Sequence, residues 1–431
     1  MMDRRAFLGA LSAGSLAALA PLPARSATVG RVVVVGGGMA GATAAKYLRL
    51  WSGNTIDVTL IEQSTTYVSN IMSNLALTGQ VAMSSLNYTW SNLVKKYGIR
   101  HVTGRVTAIE PGGASGTWKV TSINGATTTV RYCERVVLAP GISFDPVPET
   151  GNPTAAASIL HAWHAGPQTN TLKQQLMAMP AGDTVVMTIP PKPYRCPPGP
   201  YERACVIADY LKRNKPGSKI LVLDANPGIT AEAENFTHAF DALYGRSILE
   251  YVPNTQVLSV ASATNTVSTS WGDFRSGVLN VIPPHRAGAI AQAVGLANTT
   301  NMPWVNVDAR SYESAISGIH VLGDASNTGL PKAGHVGNQG AKICADAIIR
   351  AFALQSPDPA PTANSACYSP VSSTLASWLT AVYQYNPATG KMEIHDMVDG
   401  STLATEASGP STGNFSKMNT WFKALMLETY A

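Results

Sequence analysis

A strand, a glycine-rich turn, a helix and a second strand follow one another near the start of the chain. Arg31 to Val35 has the continuous apolar pattern of a buried strand and leads directly into Gly36-Gly37-Gly38-Met39-Ala40-Gly41. Ala42 to Leu50 follows as an alanine-rich helix, and Ile56 to Glu62 is a second strand that ends in an acid 21 residues after Gly41. This order predicts a βαβ unit with parallel strands.

Each part of this unit has a physical role in holding a dinucleotide. Gly36 allows a tight turn, Gly38 lets the backbone approach a pyrophosphate, and Gly41 lets the helix pack closely on the strand. Glu62 is placed to accept hydrogen bonds from ribose hydroxyls. The glycine pattern alone is weak, but together with the strands, the helix and the acid it predicts dinucleotide binding.

Two later segments repeat the form of a strand that ends in a glycine turn. The first, Arg135 to Leu138, runs into Ala139-Pro140-Gly141, and it follows residues 102–110 and 118–129, which alternate as hairpin strands would. The second, Gly318 to Ala325, contains Gly323-Asp324 and precedes Pro331-Lys332-Ala333-Gly334-His335 and a helix predicted from about Gln339. Gly323-Asp324 alone would be a plain turn.

Downstream of a glycine motif, however, Gly323-Asp324 is similar to the second flavin fingerprint of flavoproteins with two dinucleotide-binding domains. That resemblance implies that Asp324 binds the ribityl chain of FAD. The N-terminus of the following helix would then stabilise an anionic reduced flavin, because its N–H groups carry partial positive charge.

The segment between these motifs has a second strand–helix–strand pattern. Its strands are Asp183 to Ile189 and Lys219 to Asp224, and its helix is Tyr201 to Lys212. A nucleotide-binding unit would have glycines after the first strand, whereas residues 190–200 hold six prolines. Proline has no N–H to offer a pyrophosphate. This domain is therefore predicted to have the nucleotide fold without the nucleotide, so that NAD(P)H is not the electron donor.

The first residues predict export. Arg4-Arg5-Ala6-Phe7-Leu8 is typical of a twin-arginine signal, a route that carries folded, cofactor-loaded proteins into the periplasm. The apolar run from Leu8 to Leu22 is short for a membrane span, and Ala24-Arg25-Ser26 fits a cleavage site, although an N-terminal anchor is the alternative. No later segment is long and apolar enough to span a membrane, so the mature chain is expected to be soluble.

Charge and cysteine content exclude some functions. The net charge is +5, about +3 without the signal, and no basic run suggests nucleic acid. The five cysteines form no CxxC or CxxCH pair, so neither a metal site nor covalent haem is indicated. Cys133, Cys205 and Cys344 lie in apolar patterns and are predicted to be buried and inert, whereas Cys196 lies on a turn among prolines.

After Phe352 the composition changes, and residues 356–362 have the proline content of a linker. The remainder contains Cys367, strand-like 381–385 and 392–397, and an amphipathic helix around Trp421 to Met426. Packing of this helix on the body or on a partner subunit is favoured over a membrane-surface role.

Several runs together resemble the flavoprotein subunit of flavocytochrome c sulfide dehydrogenase. The most specific is residues 194–204, Tyr-Arg-Cys-Pro-Pro-Gly-Pro-Tyr-Glu-Arg-Ala, and residues 162–169, 281–288 and 318–325 agree with it. The likeness extends from about Arg31 to the C-terminus. It implies an α/β two-dinucleotide-binding-domain flavoprotein of the glutathione-reductase-like type with a small C-terminal α+β domain.

The expected domains are a signal peptide at 1–26, an FAD-binding domain at 27–145 and 280–355, a NADH-domain-like unit without nucleotide at 146–279, and a C-terminal domain at 356–431. The resemblance implies a redox-active disulfide of Cys196 and Cys367 beside the flavin. Hydrosulfide attacks one sulfur, leaving a persulfide and a thiolate. Glu202 matches the family's acid near the disulfide and is assigned as proton carrier, with a helix N-terminal acid as the equal alternative.

The family passes its electrons to a c-type cytochrome, a separate subunit, and because this chain has no CxxCH the haem must come from that partner. The FAD-binding residues implied are Gly36, Gly38, Met39, Ala40, Gly41, Glu62, Gln63, Asn70, Val106, Ala139, Pro140, Gly141, Gly323, Asp324, Lys332, Gly334, His335 and Trp421.

Two positions depart from the family. Many members bind FAD covalently through a cysteine, and Asn70 occupies that position here, so non-covalent FAD is predicted. His335 stands where an aromatic residue is expected, which leaves Trp421 as the aromatic candidate for electron exit.

Two alternatives remain. A sulfide:quinone oxidoreductase shares the fold and the disulfide chemistry but needs contact with a membrane. A non-enzymatic, flavin-loaded periplasmic partner protein would not need Cys196 and Cys367 over the flavin.

Overall fold

The computed structural model describes residues 28–150, 159–298, 301–395 and 402–431; the predicted export signal and its cleavage site lie outside these ranges. The first elements are β1 Gly30–Val35, α1 Met39–Trp51, β2 Ile56–Glu62, β3 Tyr67–Val68, α2 Ser73–Leu77, β4 Asn87–Tyr88, α3 Ser91–Tyr97, β5 Arg100–Thr103, β6 Arg105–Pro111, β7 Trp118–Asn124, β8 Thr127–Cys133, β9 Arg135–Leu138 and β10 Ile142–Phe144.

β1 and β2 form the predicted βαβ unit with α1, and they lie in a parallel sheet of order β9-β1-β2-β5. The sequence predicted one strand over 102–110, but the chain divides at Gly104, where β5 leaves the parallel sheet and β6 enters the antiparallel sheet β6-β7-β8. The predicted strand 118–129 likewise divides at Gly125, whose φ of +56° closes a hairpin turn.

The central elements are α4 Pro167–Ala178, β11 Thr184–Ile189, α5 Gly199–Asn214, β12 Lys219–Asp224, α6 Ala233–His238, β13 Leu249–Val252, β14 Val257–Ala261, β15 Thr266–Thr269, β16 Gly272–Arg275 and β17 Val278–Val281. β13-β12-β11-β17 is a second parallel sheet, and β14-β15-β16 is an antiparallel one. The central unit therefore repeats the strand–helix–strand arrangement of the first.

The chain then returns to the first sheet with β18 His285–Ala287, α7 Ala289–Ala293, β19 Val305–Asn306, β20 Ile319–Val321, β21 Ser326–Asn327 and α8 Gly334–Phe352. β20 pairs in parallel with β9, and α8 packs on α1. The helix begins five residues before the predicted Gln339. Glycines at 334, 337 and 340 lower its intrinsic propensity, but they permit close packing: a Cβ on Gly340 would lie 2.3 Å from the Tyr312 hydroxyl.

The last elements are β22 Thr362–Pro370, β23 Ala376–Asn386, β24 Lys391–Ile394, β25 Ala404–Glu406 and α9 Thr412–Tyr430. The strands form an antiparallel sheet in which β22 and β24 flank β23, with β25 also paired to β23. α9 buries Met418, Phe422 and Met426 against the body, as predicted for the amphipathic helix. In the described part of the chain, no helix is both long and apolar enough to cross a bilayer.

Candidate active site

Three helices begin at the wall of one cavity of about 200 Å³. Met39 at the start of α1, Gly199 at the start of α5 and Gly334 at the start of α8 all line it. The first N–H groups of a helix have no partner within the helix and form the positive end of its dipole. The three helices thus direct partial positive charge towards one space, which suits an anionic occupant.

A second cavity of about 530 Å³ lies along the carboxyl edge of the first sheet. It borders Gly36, Glu62, Gln63 and Val106, and it shares six lining residues with the first cavity: Gly38, Tyr67, Asn70, Ala139, Gly141 and Arg195. The two spaces form one elongated site, wide enough for a ligand of dinucleotide size.

The glycine turn has the geometry that FAD requires. Gly36 has φ of +100°, and a Cβ on Gly41 would lie 1.9 Å from the Gly36 carbonyl oxygen, so α1 packs directly on the turn. Glu62 Oε2 accepts a hydrogen bond from the Gly37 amide at 2.7 Å, which places its carboxylate at the cavity. These residues fit the pyrophosphate and ribose of a dinucleotide.

The second fingerprint closes the other side of the site. Asp324 lines the first cavity, and burial raises the pKa of its carboxyl. Lys332 Nζ donates to the carbonyl oxygens of Asp324 and Ser326 and lies 3.7 Å from the ring centre of Trp304. Burial lowers the pKa of Lys332 to about 8. Lys332 therefore fixes the loop around Asp324 and lines a smaller neighbouring space, not the main cavity.

Cys196 lies in a strained turn between β11 and α5. Its φ is +61°, in the left-handed region that non-glycine residues rarely adopt. Its amide donates to the Lys332 carbonyl oxygen at 2.7 Å, and a Cβ on Gly199 would lie 2.8 Å from its sulfur. The turn holds the sulfur at the start of α5, facing the cavity.

Cys367 on β22 lines the same cavity, and the two thiols are unbonded in this structure. Burial raises the pKa of both, to about 12 for Cys367. After burial, the Glu202 carboxyl is the next cause that raises the pKa of Cys196, while Arg195 and the Gly199 N–H lower it. The Glu232 and Glu202 carboxyls raise the pKa of Cys367, and a hydrogen bond with Ser365 lowers it. Of the two sulfurs, Cys196 is the one with a cation, Arg195, among these neighbours, and that cation favours its thiolate.

Glu202 is a buried carboxyl on the first turn of α5. Asn74 Nδ2 donates to its Oε1 at 2.8 Å, and burial raises its pKa to about 8, so that it holds a proton at neutral pH. The next residue, Arg203, is fully buried and donates to Asn74 Oδ1, Asn280 Oδ1 and two backbone carbonyls. Its guanidinium carbon lies 4.5 Å from the ring centre of Trp163.

Asn70 borders both cavities, and its Oδ1 accepts from the Ala165 amide at 2.9 Å. His335 Nδ1 accepts from the Ala366 amide, and burial lowers the His335 pKa to about 4, so the ring is neutral. Trp421 lies edge-on to His335 with ring centres 6.0 Å apart. α9 therefore places an aromatic side chain at the cavity wall beside the residue that departs from the family.

Of the residues predicted for catalysis, Cys196, Cys367 and Glu202 all line the first cavity. Of those predicted for the cofactor, every one lines one of the three spaces except Gly41, whose role is the helix contact. Sequence reasoning gave no role to several lining residues, namely Tyr67, Asn74, Trp163, Arg195 and Arg203. Arg203 had a signal: a charge that precedes the apolar run 204–208 in a helix. Cys133, Cys205 and Cys344 are buried, as predicted.

Two family models match the chain. Residues 30–183 match the pyridine nucleotide-disulphide oxidoreductase family, and residues 169–283 match the central region of the sulfide dehydrogenase [flavocytochrome c] flavoprotein chain. The second match contains the Cys196 turn and Glu202. The matches cover more than half of the chain between them.

Solved structures share the fold. The sulfide:quinone oxidoreductase of Aquifex aeolicus has 16% identity and a TM-score of 0.69, over 93% of this chain and 91% of that one. A NAD-dependent persulfide reductase from A. fulgidus has 14% identity and a TM-score of 0.59, over 92% and 77%. Putidaredoxin reductase in its covalent putidaredoxin complex has 15% identity and a TM-score of 0.61, over 92% and 93%. The chain therefore has the two-dinucleotide-binding-domain fold.

Proposed function

We propose that this chain, which belongs to the family of flavocytochrome c sulfide dehydrogenase flavoprotein chains, oxidises sulfide through a disulfide of Cys196 and Cys367 and delivers the electrons to a c-type cytochrome. The observation that carries the proposal is the placement of both cysteines and Glu202 in one cavity where three helices begin. The family is one of FAD-dependent, sulfide-oxidising oxidoreductases.

The chemistry of the first step follows from the charges around the two sulfurs. Hydrosulfide attacks Cys367 Sγ, an S–S bond forms to give the Cys367 persulfide, and the disulfide bond breaks with its electron pair on Cys196. We assign Cys196 as the leaving group because Arg195, the Gly199 N–H and the N-terminus of α5 favour its thiolate. Burial and a charged Glu202 act against that thiolate, so this step requires Glu202 in its neutral form.

Glu202 moves the proton. With a pKa of about 8 it is neutral at pH 7, so it can donate a proton within the cavity and recover it later. Asn74 bridges the site by donating to Glu202 and accepting from Arg203, which fixes the carboxyl relative to Cys196.

When bound, FAD supplies a two-electron acceptor that can pass electrons on singly. Gly36, Gly38, Glu62 and Asp324 would hold it, with Asn70 beside it. An amide cannot form the thioether that a cysteine forms, so the FAD is held without a covalent bond. The positive end of α8 would favour its reduced, anionic form, whereas that of α1 would lie at the pyrophosphate.

The place of action and the partner complete the proposal. The twin-arginine run indicates export of the loaded protein to the periplasm. The chain has no CxxCH, so a cytochrome subunit supplies the haem, and His335 and Trp421 mark the side of the cavity nearest the electron exit.

The test is the visible spectrum of the purified protein before and after sulfide, then after acid precipitation. We expect a flavin spectrum that sulfide bleaches, FAD in the acid supernatant, and reoxidation by cytochrome c but not by a soluble quinone. Cys196→Ser and Cys367→Ser should each slow the bleaching at least about a hundredfold, whereas the buried Cys344→Ala should leave it unchanged.

Unchanged bleaching in either serine variant would refute the disulfide mechanism. Reoxidation by quinone alone would instead assign the chain to the quinone-linked enzymes. FAD retained in the acid pellet would refute the role given to Asn70.

A further inference from the structure

A second buried carboxyl lies behind the cysteines. Glu232, just before α6, is 3% exposed and has a left-handed backbone with φ of +52°. Such a conformation in a charged, buried residue is strained and persists only where the surroundings impose it. Asn235, three residues on, donates to the Ala407 carbonyl oxygen at 2.8 Å and holds the start of α6 against the C-terminal sheet.

The carboxyl of Glu232 contacts the strand that carries Cys367. Ser369 Oγ donates to Glu232 Oε1 at 2.6 Å, and Ser369 lies two residues after Cys367 on β22. Residues two apart on a strand point to the same face, so Cys367 and the hydroxyl that binds Glu232 share one face of the sheet. Ser377, the cross-strand partner of Ser369, lies beside the same carboxyl.

The hydrogen bonds of this carboxyl are incomplete. Glu232 Oε2 and Ser377 Oγ are both buried, and the only polar group that the described residues place near this oxygen is that hydroxyl, which lies outside good hydrogen-bond geometry but still lowers the Glu232 pKa. A buried acceptor without a donor costs free energy, and a carboxyl in that position is stabilised by taking up a proton. Burial accordingly raises the pKa of Glu232 to about 7, near the pH at which a group exchanges protons most effectively.

The titratable groups that the described residues place around Glu232 are all acidic. The titratable groups that interact with it are Glu202 and Cys205 on α5, Cys367 on β22 and Glu406 on β25. None is a cation. Each cysteine of the pair therefore has its own buried carboxyl, because Glu202 has the larger effect on Cys196 and Glu232 has the larger effect on Cys367.

We propose that Glu232 is a second proton carrier of this site, which supplies the proton of the Cys367 sulfur and removes it again in each turnover. The proposal rests on the sulfide oxidation proposed above. When a second hydrosulfide attacks the outer sulfur of the persulfide, an S–S bond forms in the disulfane product and Cys367 leaves as a thiolate. Neutral Glu232 gives it a proton, yielding the Cys367 thiol and the Glu232 carboxylate.

The disulfide re-forms when the Cys196 and Cys367 thiolates give up two electrons, for which bound FAD would be the acceptor. Before that step the same proton returns to Glu232, since only the thiolate is nucleophilic. Glu406 is partly exposed and is the next carboxyl outwards from Glu232. It offers the proton a route to solvent that does not pass through the substrate cavity.

The test measures the acidity of Cys367 directly, so that it does not depend on turnover. In FAD-loaded Cys196→Ser protein, Cys367 is the cavity thiol, and its alkylation by iodoacetamide is followed from pH 6 to 10 by mass spectrometry. Glu232→Gln removes the nearby negative charge. We expect alkylation at pH 8 to rise about tenfold, which corresponds to a fall of about one unit in the Cys367 pKa.

Glu234→Gln is the matched control, because Glu234 lies two residues away and is exposed. It should leave the alkylation profile unchanged. Ser369→Ala gives a second line of evidence if Glu232→Gln folds poorly: the lost hydrogen bond raises the Glu232 pKa, so the carboxyl stays neutral and alkylation at pH 8 rises by a smaller factor.

Equal alkylation profiles for Glu232→Gln and Glu234→Gln in folded, FAD-loaded protein would overturn the role of Glu232. That outcome is independent of the sulfide chemistry, which fails only if sulfide does not bleach the wild-type flavin or if the serine variants of the cysteines bleach normally.

Discussion

The two strand–helix–strand units of this chain have the same topology, but the loops between the first strand and the helix differ in composition and in role. In the first, β1 leads through Gly36, Gly38 and Gly41 into α1, and the turn is open to the cavity. In the second, β11 leads through a proline-rich loop into α5, and that loop holds Cys196 at the cavity. The first loop is suited to bind a phosphate, whereas the second holds a cysteine sulfur.

The acids at the ends of the second strands show the same contrast. Glu62 ends β2 and borders the cavity. Asp224 ends β12, but it is fully buried and accepts from the hydroxyls of Tyr201 and Tyr251, each at 2.8 Å, and from Asn226. Its acceptor capacity is used inside the protein, so no ribose would find it free. This supports the prediction that the central unit binds no nucleotide.

The largest effect is expected from a substitution that fills the glycine turn between β1 and α1. Gly41→Val places side-chain atoms where even a Cβ lies 1.9 Å from the Gly36 carbonyl oxygen, which forces α1 away from the strand. We expect loss of FAD and destabilisation by about 3 kcal/mol or more, measured by flavin content and chemical denaturation. Gly228→Ala, in open space in the central unit, should change neither the FAD content nor the stability. A Gly41→Val protein that keeps its FAD would contradict the phosphate-binding role given to the glycine turn.

The second prediction concerns Asp224, the acid at the end of β12 in the central unit. Asp224→Asn replaces one acceptor oxygen by an NH₂ group that faces existing donors, and we expect the free energy of unfolding to fall by about 1–3 kcal/mol. FAD content should remain at the wild-type level, and NAD(P)H should still not reduce the flavin. If the variant kept its stability and lost FAD instead, Asp224 would belong to a nucleotide site.

The third prediction concerns Glu62, where we expect the fold to be kept and FAD binding to weaken. Glu62→Gln keeps the fold but weakens the acceptors for the ribose and the Gly37 amide, and we expect about tenfold weaker FAD binding. Reconstitution of the deflavinated protein, followed by flavin fluorescence, measures this. Equal FAD affinities in the variant and the wild type would show that Glu62 does not contact the cofactor.

The smallest effect concerns pH. Because burial raises the pKa of Glu202 to about 8, its carboxyl is neutral below that pH and negative above it. The negative form repels the Cys196 thiolate, so the rate of sulfide-dependent bleaching should fall by about fivefold from pH 7 to 9, after correction for the ionisation of sulfide. Glu202→Gln should remove the inflection, and an unchanged inflection would assign it to another group.

The errors in the fold prediction have a common cause. The sequence showed the strands of the two parallel sheets that it predicted to within about a residue, because apolar runs and glycine turns are local signals, but it placed the start of α1 at Ala42, three residues after the observed Met39. It placed the start of α8 too late because Gly334, Gly337 and Gly340 disfavour helix locally, while packing against Tyr312 and α1 stabilises it. The prediction from sequence joined β5 and β6 into one strand, because the point at which a chain passes from one sheet to another depends on tertiary packing and not on the local sequence.

The residues of the site also divide into those that the sequence revealed and those that only the structure revealed. The glycine turn, Glu62, Asp324 and the turn around Cys196 were visible as motifs, and a family resemblance joined Cys196 to Cys367. Glu232 had no motif, and the family run that contains Arg203 gave that residue no role, because the importance of both comes from burial and from neighbours distant in the chain: Ser369 in one case, Asn74 and Asn280 in the other.

The sequence by itself determined that two parallel α/β units form and which of them has a turn open to phosphate, since glycine and proline act through their own backbone. Only the tertiary structure decided which charges surround the two sulfurs. A pKa depends on burial and on neighbours within a few ångströms, and these are set by the packing of β22 and α6 against α5, not by the order of residues.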